Sequence, residues 1–319
     1  MRDIISVRAV IGALAICGML DADITSARAY PERPINLIVP WGVGGGGDRV
    51  GRVIAGLLAS KLGVSVPVIN VTGASGQVGL NKVLNEPADG YNIIEITSDT
   101  YILFARSNSR FKVSDFASIA VVDQQPSGFF LRYDSPWKTW DDVLAAAKSK
   151  TVTVAGSGIG TQSDVTVNYF NQDLRLNLVT IPFDDPGLRW TSVLGEHADL
   201  LYAQFGDLDA YLSSKKLRPI LAFADKRVAG FPGIPTTKEL GYRIDITHFR
   251  SFAVKAGTSA ALYDTLVSAM NAIADSPEYN KMLEAQTALP DSFMSGQRAQ
   301  DYVQAWVAGV RNLLSKNAK

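Results

Sequence analysis

Cysteine is nearly absent from this chain: its 319 residues include one, Cys17, inside an apolar stretch near the start. Without that stretch there is no disulfide, no thiolate nucleophile and no Cys-based metal site. Histidine is almost as scarce. Only His197 and His248 occur, and neither has neighbours at metal-ligand spacing, so no metal and no cofactor are expected. Neither sign of charge is in excess, with 31 Lys plus Arg against 31 Asp plus Glu. Such a balance lacks the basic field of a nucleic-acid or anionic-lipid binder, and no nucleic-acid partner is expected. No apolar run is long enough to span a bilayer.

The start of the chain has the layout of a secretory signal. Arg2 and Arg8 give a basic opening, Ala9 to Leu20 a short apolar stretch, and Ala27-Arg28-Ala29 a small-x-small pattern. A signal peptide over residues 1–29, cut after Ala29, predicts an exported, periplasmic protein beginning at Tyr30. Ile16, before Cys17, is not the small residue that a lipid-anchor site needs. Residues 1–29 carry three charges of each sign, so the mature chain stays balanced.

The most informative segment is Pro40-Trp41-Gly42-Val43-Gly44-Gly45-Gly46-Gly47-Asp48. An apolar strand pattern, Ile35–Val39, precedes it. A helical pattern with Val50, Val53, Ile54, Leu57 and Leu58 on one side follows. Strand, glycine loop and helix N-terminus together point to an anion site, because residues without Cβ let a ligand approach unpaired first-turn N–H groups, the alternative being a tight turn that merely needs glycine. The same glycines satisfy the dinucleotide pattern G-x-G-x-x-G. That reading requires an acid at the end of the next strand, about 20 residues on, and Val64–Asn70 ends without one. Asp48 is expected to cap or brace the helix start, since its charge would repel an anion.

Strand and helix patterns alternate along the rest, which predicts α/β architecture with mostly parallel sheets. Helices are expected near 48–62, 77–85 and 140–148, and strands at 66–70, 91–96, 152–155, 178–181, 200–203 and 217–223. The segment from Ala260 to Lys319 reads as mainly helical. A second loop, Gly156-Ser157-Gly158-Ile159-Gly160-Thr161-Gln162, again follows a strand and precedes a helix. Two such loops in separate halves point to a ligand clamped between domains. The expected division is 30–128 plus 251–319 against 129–250, joined by a two-segment hinge.

At these residues the chain resembles the Bug-type solute-binding receptors of tripartite tricarboxylate transporters. The likeness runs through Tyr30-Pro31, Pro34-Ile35, Leu37–Pro40, Gly44–Gly46 with Asp48, Gly73-Ala74-Ser75-Gly76 and Asp89-Gly90-Tyr91. It continues through Gly156–Gly160, Ile181-Pro182-Phe183 and Ile234-Pro235-Thr236-Thr237 with Glu239 and Gly241. Asp134–Thr139 and Phe249-Arg250-Ser251-Phe252 are most similar to citrate-binding members. The resemblance implies a type II periplasmic-binding-protein fold. It also implies a carboxylate held by backbone N–H groups of both loops, and membrane permease subunits as partners. Matching ligand positions are Gly42, Val43, Gly44, Gly45, Gly46 and Gly47, and Ser157, Gly158, Ile159, Gly160, Thr161 and Gln162. Departures are Thr72, where a proline is usual, and Asp184-Asp185 in a loop usually rich in glycine. Those two acids either repel a second ligand carboxylate or face solvent in a plain turn.

Further candidates are Trp41, Phe183, Asp207, Phe249 and Arg250. Trp41, Phe183, Phe205 and Phe249 leave an aromatic dicarboxylate open. Arg250 either forks onto a second ligand carboxylate or pairs between domains with Asp184 or Asp207. The expected ligand is a di- or tricarboxylic acid, the expected state a monomer. A hydrolase is disfavoured, because Ala155-Gly156-Ser157-Gly158 is not G-x-S-x-G. A receptor reporting to a sensor kinase fits the same sequence as one feeding a permease.

Overall fold

The computed structural model describes residues 30–244 and 246–316; the expected signal peptide and its cut after Ala29 lie outside the described residues. In chain order the elements begin β1 (Asn36–Val39), α1 (Gly46–Leu62), β2 (Val68–Asn70), α2 (Gln77–Asn85), β3 (Asn92–Thr97) and α3 (Ser98–Ala105). There follow β4 (Phe116–Gln125), β5 (Ser127–Arg132), α4 (Trp140–Ser149), β6 (Val152–Gly156), α5 (Gln162–Leu174), β7 (Leu178–Pro182) and α6 (Pro186–Leu194). Last come β8 (Leu200–Gln204), α7 (Asp209–Ser213), β9 (Leu217–Phe223), β10 (His248–Lys255), α8 (Ala260–Ala274), α9 (Pro277–Ala285), β11 (Met294–Ser295) and α10 (Gly296–Lys316).

They form two lobes. The first holds a six-stranded sheet in the order β11-β4-β10-β3-β1-β2, the second a five-stranded sheet in the order β7-β6-β8-β5-β9. Period-two alternation explains how β1 serves both faces of its sheet. Leu37 and Val39 pack with α1 and α8 residues such as Val50 and Leu266, while Ile38 packs with Leu80 and Ile102 on the other face. Glu95 of β3 is turned to the α1 side, where it lies beneath Gly47 and Gly51.

Both sheets are mixed, which corrects the expectation of mostly parallel pairing. β1 pairs parallel with β2 and β3, and β6 with β7 and β8. The strands that pass between lobes, β4, β5, β9 and β10, pair antiparallel. Pro126 alone separates β4 from β5 and has no N–H for either ladder. The return runs from Phe223 to His248. Ser127 and Gly128 therefore stand in the second sheet and His248, Phe249 and Arg250 in the first. Each lies across the expected boundary, because strand pairing decides the sheet.

The second lobe is closed by aromatic packing. Phe129 stacks on Trp140 at 5.5 Å between ring centres and meets Phe223 edge-on at 5.0 Å, with Phe170 5.1 Å from Trp140. Thr139 caps α4 through a reciprocal pair with Asp142. Trp140 is 2 % exposed, and its Nε1 donates to Tyr242 Oη at 3.1 Å. Trp140→Ala is therefore expected to cost about 3–5 kcal/mol of stability, measured by urea denaturation.

Candidate ligand-binding cleft

The two glycine loops face each other across the gap between the lobes. The first is tied from below by Asp48. Gly44 N–H and Asn70 Nδ2 donate to its carboxylate at 2.9 and 3.0 Å, and Arg52 reaches it at 2.8 Å. Burial alone would raise the Asp48 carboxyl, but the hydrogen bonds from Arg52, Gly44 and Asn70 outweigh it and hold the pKa low. Asp48 is thus a brace, as its position predicted.

Glycine is required at 46 and 47 for space. A Cβ on Gly46 would collide with the Asp207 carboxylate and the Arg250 guanidinium, and one on Gly47 would sit 2.9 Å from Glu95 Oε1. Asp207 belongs to the turn after β8 in the second lobe, whereas Gly46, Arg250 and Arg49 belong to the first. Arg250 Nη2 lies 3.1 Å and Arg49 Nη2 3.4 Å from Asp207 Oδ1. Asp207 thus places its carboxylate at the N-terminus of α1, where the helix dipole favours negative charge.

The second loop shows the reverse. Asp99, in the first turn of α3 in the first lobe, reaches the N-terminus of α5. Gln162 N–H donates to its Oδ1 at 2.9 Å and Ser157 Oγ at 3.0 Å. Each lobe therefore sets an aspartate against the glycine loop of the other, Asp99 accepting from Gln162 N–H and Asp207 packed against Gly46.

Trp41, Gly45, Gly46, Gly47, Ser157, Phe183, Asp207 and Arg250 line the cleft, together with Thr97, Asp99, Asp184, Pro186, Arg189, Gln204 and His248. The space within the cleft is only about 30 Å³, far under the several hundred Å³ of ordinary small-molecule sites. Among the described residues no group of three or more His, Cys, Asp and Glu is placed to hold a metal, and no helix is long and apolar enough to cross a membrane.

The model of the tripartite tricarboxylate transporter family receptor matches residues 50–318. The chain belongs to that family. Protein BugT of Bordetella pertussis is 28% identical over 322 residues, covering 97% of this chain and 97% of that protein. The solved periplasmic binding protein BugD is 26% identical, with a TM-score of 0.83 over 91% of this chain and 99% of that one. MatC of Rhodopseudomonas palustris with bound malate shares the fold at 22% identity, with a TM-score of 0.81 over 89% of this chain and 99% of that one. The family is one of solute receptors rather than enzymes.

Several positions of this receptor expected to bind ligand are engaged elsewhere. Phe249 is a core residue, stacked on Tyr101 at 5.5 Å and edge-on to Trp306 at 5.2 Å. Phe205 packs on Phe130 at 4.9 Å inside the second lobe, which leaves Trp41 and Phe183 as the aromatic lining. Val43 and Ile159 are exposed at the loop crests, 69% and 58%. Gly42 and Gly44 shape the turn beneath the first loop, the one accepting from Gly45 N–H, the other donating to Asp48. Gly158 and Gly160 shape the second, accepting from Thr161 Oγ1 and donating to Asp164. Gln162 gives its Nε2 to Ile246 O at 2.6 Å. Neither Thr161 nor Gln162 lines the cleft, because both side chains are used in holding the loop. Asp185 caps α6, accepting from Leu188 N–H at 2.8 Å, while its neighbour Asp184 lines the cleft.

Arg250 does line the cleft, but its fork is taken. Asp123 Oδ2 lies 2.7 Å from Nη1, Asp207 binds Nη2, and Glu95 Oε1 is 3.6 Å from Nε. This is the pairing between lobes with Asp207 that the sequence left as the alternative. Burial would lower the Arg250 pKa, yet these carboxylates outweigh it and raise it. Glu95 fares differently. Both its oxygens are buried without a hydrogen bond, and burial pushes its pKa up to about 8 despite Arg250.

Arg189 is the residue sequence reasoning missed. It sits in the first turn of α6, is 7% exposed, and among the described residues makes no side-chain hydrogen bond or ion pair. Burial lowers its pKa, opposed by Asp99 and Asp207. The signal was present in Asp185-Pro186, an N-cap followed by a first-position proline, which starts a helix directly after β7.

Arg250→Met would strand Asp123 without a cation and leave Asp207 with Arg49 alone. The ligand-free protein should lose about 3–5 kcal/mol in urea denaturation. Glu95→Gln has a pH signature. A folded pKa near 8 against an ordinary 4.5 means that this group's stabilisation is full below pH 4.5 and is lost as pH rises to 8. The variant should therefore gain on the wild type between those values, read as denaturation midpoints at pH 5 and pH 8.

Proposed function

We propose that this receptor captures a small organic carboxylate in the periplasm, between its two lobes, and hands it to membrane permease subunits. The observation that carries the reading is Arg189, a buried guanidinium in the cleft with no carboxylate of the protein bound to it. An unpaired buried cation is costly, and a ligand carboxylate removes that cost through charge-assisted hydrogen bonds. The family description and the malate bound to MatC support a carboxylate as the cargo.

Closure accompanies capture. A space of about 30 Å³ holds little more than water, so a ligand enters only when the lobes part. The aspartates that cross the gap favour the shut form, and a ligand that binds both lobes adds to that preference. Two domains moving about the crossings at Pro126 and residues 224–247 provide the motion.

Arg189→Gln keeps a polar group and removes the charge. Affinity for a bound carboxylate should fall by at least about 2 kcal/mol by calorimetry, the scale of a lost charged hydrogen bond. Ligand-free stability should hold or rise, since a buried unpaired charge is gone. Unchanged affinity in the folded variant would remove Arg189 from the site.

A further inference from the structure

Each glycine loop already has a carboxylate of the other lobe against it: Asp207 beside Gly46, and Asp99 accepting from Gln162 N–H. Arg250 is matched by Asp123 and Asp207. A short set of buried polar atoms on cleft-lining residues remains without hydrogen-bond partners: Arg189 Nε, Arg250 Nε, Trp41 Nε1, Thr97 Oγ1 and His248 Nε2. Their side chains belong to residues no more than 8% exposed.

The hydrogen-bond chain behind His248 fixes what its free nitrogen needs. Gln162 is oriented by donating Nε2 to Ile246 O, so its Oε1 accepts the Ser98 hydroxyl at 3.1 Å. His248 Nδ1 lies 3.0 Å from Ser98 Oγ and 3.3 Å from Gln162 Oε1. Both are acceptors toward the ring, so Nδ1 carries the proton and Nε2 is a bare lone pair. Burial, then the charges of Arg250 and Arg189, keep the ring neutral. A carboxylate cannot satisfy Nε2, because two acceptors would meet face to face.

Charge points the same way. Arg189 and Arg250 are the arginines that line the cleft, and Arg49 pairs with Asp207 beside it. Asp123 and Asp207 pair with Arg250, and Asp184 adds a further acid to the lining. Among the cleft-lining residues, a second ligand carboxylate would meet no further arginine.

We infer that the ligand is a monocarboxylate bearing a hydroxyl or amino donor: Arg189 and Trp41 Nε1 take its carboxylate, and His248 Nε2 takes its donor. This rests on the carboxylate-receptor reading and narrows it away from the di- and tricarboxylates that the sequence suggested.

Calorimetry on the wild-type receptor tests it with matched short straight-chain and benzoic acids. Within each frame the series is the plain monocarboxylate, its hydroxy or amino derivative, and the dicarboxylate, as in propionate, lactate, alanine and malate. The hydroxy or amino acid should bind at least about tenfold tighter than both others, the weight of one unmatched polar group. Capping the donor, as in 2-methoxypropionate against lactate, should remove the advantage. The exposed Asp184→Asn change should narrow the gap between malate and lactate by several-fold. A dicarboxylate that binds tightest in its frame, or a methyl ether that binds as well as its parent, overturns the inference and leaves the carboxylate reading standing. A panel in which no acid binds overturns both.

Discussion

Two aspartates exchanged across the cleft organise this molecule. Asp207 reaches from the second lobe to the start of α1, and Asp99 from the first lobe to the start of α5. A carboxylate at a helix N-terminus meets oriented N–H groups and a favourable dipole, so each contact is favourable in itself. Each also joins the lobes. Gly46 has no side chain because Asp207 lies against it, and Arg250 is tolerated at 2% exposure because Asp123 and Asp207 surround it. Burial of the ion pairs follows from closure.

The cleft thus contains two populations of polar groups. One is saturated and sets geometry: Asp48 with Gly44, Asn70 and Arg52, Gln162 with Ile246 and Ser98, Arg250 with its acids. The other lacks hydrogen-bond partners and belongs to residues that line the cleft, Arg189 among them. Rigid support behind a few free donors and acceptors is what orients a small ligand. The same division accounts for mutations at Arg250 and Arg189, two buried arginines, having opposite expected effects on the ligand-free protein.

Much of this frame is legible in the sequence, for local reasons. The glycine run between an apolar strand and an amphipathic helix marks α1 and its loop, and α2, α4 and β9 follow their periodicity closely. What escapes is buried on all sides. All eight residues of α3 are buried, so no polar face betrays a helix. β4 and β5 are buried almost throughout and carry no alternation. Half of the expected ligand positions stand off the cleft lining for a different reason: glycine loops advertise an anion without saying whose. Here acids distant in sequence, Asp207 and Asp99, lie against the loops, and no local pattern reports such a pairing.

The register of β4 and β10 has a topological consequence. Gln125, the last residue of β4, faces His248, the first of β10, as antiparallel partners in one ladder. These two strands are the arms of a hairpin whose turn has been replaced by residues 126–247, the entire second lobe. The first lobe is therefore contiguous in its hydrogen bonding although interrupted in its chain. A two-residue turn could in principle join those arms where a whole lobe now does. The ligand cleft is the space between a parent domain and its own insertion.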